Sequence, residues 1–184
     1  MENKLYTLIV HSENFAGLLS QVTAVFTRLQ INIESLNVSA SSIEGVHKYT
    51  ITACTDRNNI EKVVKQVEKK IEVLQAQFFT DDEIYSHEIA LYKVSMSEFE
   101  SQSEASKVVR QYNAHIVEVN PVFAIVEKNG SSEDISALYR ELSALNCVLQ
   151  FVRSGRVTIP KSCIEPVSQY LNDRAKEHTN KKKK

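Results

Sequence analysis

Four glycines and three cysteines in 184 residues leave little material for several kinds of chemistry. Gly17, Gly45, Gly130 and Gly155 lie too far apart to assemble a GxGxxG or GxxxxGK(S/T) phosphate loop, which excludes the sequence-readable nucleotide sites. Cys54, Cys147 and Cys163 are an odd number without CxxC spacing, so a disulfide framework is not expected and reduced thiols in a cytoplasm are. Cys54 and Cys147 fall in predicted strands beside apolar residues, where buried, inert thiols are expected. Net charge is also scarce: 22 basic against 23 acidic residues give −1, and the densest positive cluster is the final KKKK. The body of the chain therefore predicts neither a nucleic-acid nor a membrane surface, and the expected partner is a small molecule or a protein. No apolar run approaches the roughly 18 residues a membrane span needs, and no signal-peptide pattern is apparent; a soluble, cytoplasmic protein is expected.

The same scarcity extends to catalytic groups. His11, His47, His87, His115 and His178 have no neighbours at metal-ligand spacing, so no metal site is predicted. Ser20 sits in a predicted helix without a GxSxG elbow. The carboxylates fall mostly on polar helix faces, and no catalytic residue is assigned.

What is present is periodicity. A hydrophobic content of 42% is ample for a globular core. Lys4 to Val10 predicts a strand, and from Gly17 the apolar residues Leu18, Val22, Val25 and Leu29 step at helical spacing until about Gln30. Ile31 to Ser39 reads as a strand whose apolar positions change parity across Glu34 and Ser35, which predicts a bulge or local twist. Ala40 to Gly45 predicts a turn, and Val46 to Cys54 a strand with Tyr49, Ile51 and Ala53 on one face. Ile60, Val63, Val64, Val67 and Ile71 predict a helix that Asp56, Asn58 or Asn59 can cap, and Glu72 to Phe79 a further strand. The pattern then repeats: a strand over Ile84 to Met96, a helix lined by Ala105, Val108, Val109 and Tyr112, strands over His115 to Val119 and Val122 to Glu127, a helix lined by Ile135, Leu138, Leu142 and Leu145, and a strand over Cys147 to Val152. This is βαββαβ twice. It predicts an α+β protein of two ferredoxin-like domains in tandem, residues 1–80 and 81–161, each an antiparallel sheet with both helices on one face. Residues 162–184 are a C-terminal extension, for which a short helix near Val167 to Arg174 and a disordered basic tail are expected.

One segment has a use beyond packing. In ENFAGLLSQVTAVF, Gly17 opens the first helix, and a helix start offers unpaired backbone N–H groups and partial positive charge to an anion such as a carboxylate. Gly17 lacks a Cβ that would hold a ligand off that backbone, and the Asn14 amide supplies a donor and an acceptor, a combination suited to an α-amino acid head group. The alternative is purely structural, with Asn14 or Ser12 capping the helix and Gly17 relaxing the turn.

ENFAGLLSQVTAVFTRLQINIESLNVSA closely resembles the opening of the ACT domain in the small regulatory subunits of acetohydroxyacid (acetolactate) synthase, with its E-N-x-x-G-x-L-S-x-V-x-x-x-F run and N-I-E-S-L strand. HEIALYKV, AHIVEVNP and FVRSGRVTIPK resemble segments of the C-terminal domain of the same subunits, and the likeness covers roughly residues 3 to 161. The resemblance implies a doubled βαββαβ fold and a non-catalytic regulatory chain. Such a chain binds and activates a large subunit, which holds thiamine diphosphate, magnesium and FAD and carries the acetolactate synthase activity; no cofactor is implied for this chain itself. It also implies a homodimer through the ACT domains, with a branched-chain amino acid such as valine at the interface as feedback effector in branched-chain amino acid biosynthesis. Asn14, Gly17 and Ser20 match the family's effector loop, Asn32 and Ile33 match the strand reaching the pocket from the partner chain, and Leu18 and Ile33 are the expected apolar contacts. The departures are Leu29 and Gln30, where the family usually has Arg-Gly, and Phe15-Ala16 in place of a small or proline residue. Other readings of the same element order are a stand-alone amino-acid sensor, which would lack the matched C-terminal half, and a single-stranded RNA-binding module, which would need stacking aromatics on the central strands.

Overall fold

Alternation in the first strand decides the layering of the N-terminal half: Tyr6, Leu8 and Val10 point to one side and pack with Leu18, Val22, Val25 and Phe26 of the first helix. The computed structural model describes residues 2–99, 103–162 and Val167. It contains two compact units, one formed by residues up to Tyr85 together with Thr158 onward, the other by Ser86–Val157.

In the first unit the order is β1 (Lys4–Glu13), α1 (Leu18–Arg28), β2 (Ile33–Ala40), β3 (Val46–Thr55), α2 (Arg57–Val67) and β4 (Val73–Phe79). The sheet order is β2-β3-β1-β4 with every pairing antiparallel. Tyr49, Ile51 and Ala53 share the inner face as predicted and meet Ile60, Val63 and Val67 of α2, whose N-terminus is capped by the Asp56 carboxylate accepting from Asn59 N–H. The predicted break in β2 is real: the register against β3 shifts between Ile33 and Ser35. That shift lets Ile33 and Leu36 both reach the core, which an unbroken strand would forbid for residues three apart.

The second unit repeats the plan with β5 (Ile84–Ser95), α3 (Glu104–Gln111), β6 (His115–Val119), β7 (Phe123–Gly130), α4 (Ser132–Ala144) and β8 (Val148–Arg153), in the sheet order β6-β7-β5-β8. A ninth strand, β9 (Val157–Pro160), pairs with β5 and has no counterpart in the sequence reading. Its apolar residues Val157 and Ile159 face solvent while Thr158 is buried, the reverse of the alternation by which strands are recognised. Ala90, Tyr92, Val94, Ala105, Val109, Val126, Ile135, Leu138 and Leu142 form the core. Burial of Tyr92 pushes its phenol pKa far up, and the hydroxyl donates to Ile135 O at 2.8 Å, so its one buried polar atom is satisfied.

Two residue expectations need correction. Cys54 is exposed rather than buried, because Ala53 takes the core side of β3 and the pleat turns Cys54 away; Cys147 is buried as expected, its thiol 3.2 Å from Leu142 O. Ile71 is 94% exposed, since α2 stops at Val67 and the chain turns through Lys70 before β4. The expected helix near Val167 to Arg174 and the tail lie outside the described residues apart from Val167, which is helical and buried.

The helix ends explain one departure from the family pattern. After α1, Gln30 N–H donates to Thr27 O and Ile31 N–H to Phe26 O, the two bonds of a Schellman motif, and Gln30 sits at φ 56°. Asn113 after α3 and Asn146 after α4 take the same left-handed position at φ 50° and 53°. Asparagine tolerates this conformation and glycine tolerates it best, whereas Gln30 is strained by its Cβ. Gln30→Gly is therefore expected to stabilise the protein by about 0.5–1 kcal/mol, read as a higher urea midpoint at unchanged slope. A lower midpoint would show that the exposed bond from Gln30 Nε2 to Thr27 O outweighs the strain.

Candidate functional site

The α1 start differs from the other helix starts in what caps it. Asp56, Ser103 and Ser131 cap α2, α3 and α4 with side-chain oxygens. The α1 cap is Gly17, at φ 86° and ψ −8°, with no side-chain cap and no acidic residue in the first turn. Neither Ser12 nor Asn14 does the capping: Ser12 Oγ donates to Glu13 O, and the Asn14 backbone N–H donates to Gly45 O at 3.1 Å. Leu18 N–H is engaged by Phe15 O, and the amides that follow it in the first turn keep their attraction for an anion. A Cβ placed on Gly17 would meet nothing within 4 Å, so the backbone there faces open space.

The loop is anchored from both sides. Glu13 N–H donates to Glu72 O at 2.9 Å, Phe15 N–H to Glu13 O, and Leu18 N–H to Phe15 O, which fixes the approach to the helix. Asn14, Gly17 and Ser20 are exposed around this start, and Leu18 is wholly buried in the core beneath it. Phe15 and Leu19 are large apolar side chains left exposed on either side of Gly17. The sequence reading did not select them as contact residues; an aromatic in a loop and an off-phase leucine beside a helix stripe were the available signals.

Asn32 and Ile33 lie elsewhere. Asn32 is exposed just before β2, and Ile33, half-buried, opens that strand. Ile33 is level with Ala53 of β3, which is level with Tyr6 of β1, whereas the Gly17 loop leaves the sheet after Glu13, level with Val46. Seven residues of β1 separate the two levels, on the order of 23 Å of strand. Within one chain the two halves of the predicted site are at opposite ends of the sheet. β2 is an edge strand of this sheet, and its Ala40 end pairs with His47, which pairs with Ser12 next to the Gly17 loop.

Among the described residues no three His, Cys, Asp or Glu side chains cluster as a metal site would require, and no helix is long and apolar enough to cross a membrane. The outward face of the central strands β1 and β3 presents Thr7, Ile9, His11, Lys48, Thr50 and Thr52, while Tyr6 and Tyr49 point into the core. A single-strand RNA platform needs aromatic rings on that outward face.

Residues 6–72 match the family model described as ACT domain, and residues 87–162 the one described as small subunit of acetolactate synthase. The chain is 31% identical over 161 residues to the acetolactate synthase small subunit of Mycobacterium bovis, covering 88% of this chain and 95% of that one. It is 33% identical to the corresponding Mycobacterium leprae subunit, covering 85% and 91%, and 28% identical to that of Bacillus subtilis, covering 84% and 90%. In structure it is similar to the acetolactate synthase small subunit of Thermotoga maritima, with a TM-score of 0.78 at 24% identity over 88% of this chain and 99% of the other.

Proposed function

Because this chain belongs to the acetolactate synthase small-subunit family, we propose that it is the regulatory chain of an acetolactate synthase, raising the activity of a catalytic large subunit and making it responsive to a branched-chain amino acid such as valine. Small-subunit identity implies a catalytic partner. Thiamine diphosphate, magnesium and FAD are assigned to that partner, and a cytoplasmic location follows from the same role in branched-chain amino acid biosynthesis.

The observation that carries the effector reading is the separation of Asn32 and Gly17 along the sheet. If two copies pair along their β2 edges about a two-fold axis, the strands run antiparallel, and the Ile33 end of one meets the Ala40 end of the other. The Ala40 end is level with Ser12, so Asn32 of one copy approaches the Asn14–Ser20 loop of its mate. Two equivalent pockets result, each with a helix start from one chain and an Asn-Ile pair from the other. The effector carboxylate meets the first-turn amides of α1, its ammonium meets an amide oxygen or carbonyl, and its branched side chain lies against apolar groups including Ile33. Pairing would also cover an open sheet edge in a domain of about 80 residues that buries proportionally little surface alone.

The test is reconstitution. The isolated chain is expected to form no acetolactate from pyruvate, to copurify with its large subunit, and to increase the turnover of that subunit, with valine, leucine or isoleucine reducing the gain. Acetolactate production by the isolated chain, or an unchanged turnover in a confirmed complex, would sink the regulatory reading. A stand-alone sensor would bind an amino acid yet leave the large subunit in the flow-through.

A further inference from the structure

Every residue of β6 is exposed, although the strand reads HIVEV and is mostly apolar. The sheet order β6-β7-β5-β8 puts β6 at an edge, where one row of backbone N–H and C=O groups faces no neighbouring strand. Ile116, Val117 and Val119 are each at least 50% exposed. Ile116 and Val119 are level with Val126 and Ala124 of the core, so they lie on the helix side of the sheet and yet stay open to solvent. Edge strands that resist association carry lysine or proline, and β6 has neither.

A bulge interrupts this edge and narrows what can pair with it. The register against β7 runs His115↔Glu127, Ile116↔Val126, then Glu118↔Ile125 and Val119↔Ala124, which leaves Val117 as the extra residue. His115 and Glu118 thereby share the outer face with Glu127 and Ile125, which residues three apart on an unbroken strand could not do. A regular strand laid along β6 would be one residue short against the bulge. A strand carrying the same extra residue at the same point has no such mismatch, and β6 of a second copy is one. Set antiparallel about a two-fold axis normal to the sheet, His115-Ile116-Val117-Glu118 meets Glu118-Val117-Ile116-His115. Each imidazole then opposes a carboxylate on the same face, each Ile116 opposes Val117, and the flanking Ala114 opposes Val119. The opposite edge, β8, reads VLQFVR with Arg153 as its one charged residue, so an antiparallel copy of it supplies no counter-charge.

We propose that β6 is a self-association edge, through which the second unit joins that of a second copy by antiparallel β6 strands in the register His115 to Glu118. The occupant is a copy of this chain because the edge is matched by its own sequence in charge, in apolar contact and in the position of its bulge. β6 holds in the second sheet the place that β2 holds in the first, at the end of the strand order and broken by a register shift against its neighbour. The pairing stands whether or not the β2 edges meet and whether or not an amino acid binds at Gly17.

A register-specific disulfide tests it. In a full-length background with Cys54→Ser and Cys163→Ser, His115→Cys is introduced into one preparation and Glu118→Cys into another, and the two are oxidised with copper phenanthroline separately and after mixing. Opposed Cα atoms in such a ladder lie about 5 Å apart, within disulfide reach, whereas the two copies of position 115 are offset by about 10 Å along the strand. The mixture is therefore expected to give a cross-link between positions 115 and 118, identified by peptide mass, at least about tenfold more abundant than any cross-link in either preparation alone. Val117→Asp added to both chains sets a carboxylate against Ile116 and is expected to cut that cross-link at least about tenfold while the circular dichroism is unchanged. A cross-link no more abundant after mixing, or one indifferent to Val117→Asp in a folded chain, overturns the proposal.

Discussion

Gly17→Asp is expected to abolish effector binding, with calorimetric titration of valine, leucine and isoleucine giving no heat where the wild-type chain saturates. Two effects combine at this one position. The residue is held at φ 86°, so any side chain there is strained by about 1–2 kcal/mol. The strain acts on the helix start and lowers stability without choosing between ligands. The second effect is specific. The space beyond Gly17 is open to the depth of an ordinary contact shell, and an aspartate would occupy it with a carboxylate aimed at the amides that the effector carboxylate needs. Gly17→Ala separates the two, because it carries the strain without the charge: similar urea midpoints with much weaker binding in the aspartate variant assign the loss to the site. The core of this unit comes from Leu18, Val22, Val25, Phe26 and the inner face of the sheet, so both variants are expected to fold and still to stimulate the large subunit. Equal binding by wild type and Gly17→Asp would place the effector elsewhere on the molecule.

The parts of this protein that could be read from sequence are those where one side chain per turn or pleat faces a core. Leu18, Val22 and Val25 announce α1, Tyr49, Ile51 and Ala53 announce β3, and even the β2 irregularity appears as a change of parity at Glu34-Ser35. Where burial and polarity part company, legibility fails. β9 buries Thr158 and exposes Val157 and Ile159. β6 is apolar in sequence yet exposed along its whole length, because it is the outermost strand of its sheet. The outer face of the first sheet is polar in sequence yet buried, which no periodicity can reveal.

The candidate site divides in the same way. Gly17 could be singled out because a glycine before strong helix formers needs a reason, and its left-handed cap supplies one. Likewise Gln30 looked out of place against the family pattern because it occupies a left-handed position that glycine fills without strain. Distance was not legible. Gly17 and Asn32 are separated by a single helix in sequence, but register places them at opposite ends of the sheet. Only strand pairing, a long-range property, places two motifs that are neighbours in sequence at opposite ends of the sheet.

That geometry leads to the second large effect, which appears on mixing two defective chains. Asn32→Ala alone is expected to weaken effector binding by about 1–3 kcal/mol, the cost of losing one hydrogen bond to a charged group. Gly17→Asp alone is expected to bind nothing. In a heterodimer of the two variants, one pocket receives both substitutions and is lost. The other combines the unaltered Gly17 loop of the Asn32→Ala chain with the unaltered Asn32 strand of the Gly17→Asp chain, and is wild type. Random exchange of equal amounts yields about half heterodimers, so about a quarter of all pockets regain wild-type affinity. The titration should then show a tight class that neither parent possesses, growing in at the rate of subunit exchange. A pocket contained within one chain gives a different result, because mixing would only average the two parental curves and no tight class would emerge. The outcome therefore decides whether the roughly 23 Å of strand between Tyr6 and Glu13 is bridged by a second copy, and with it whether effector binding and dimerisation are one event in this protein.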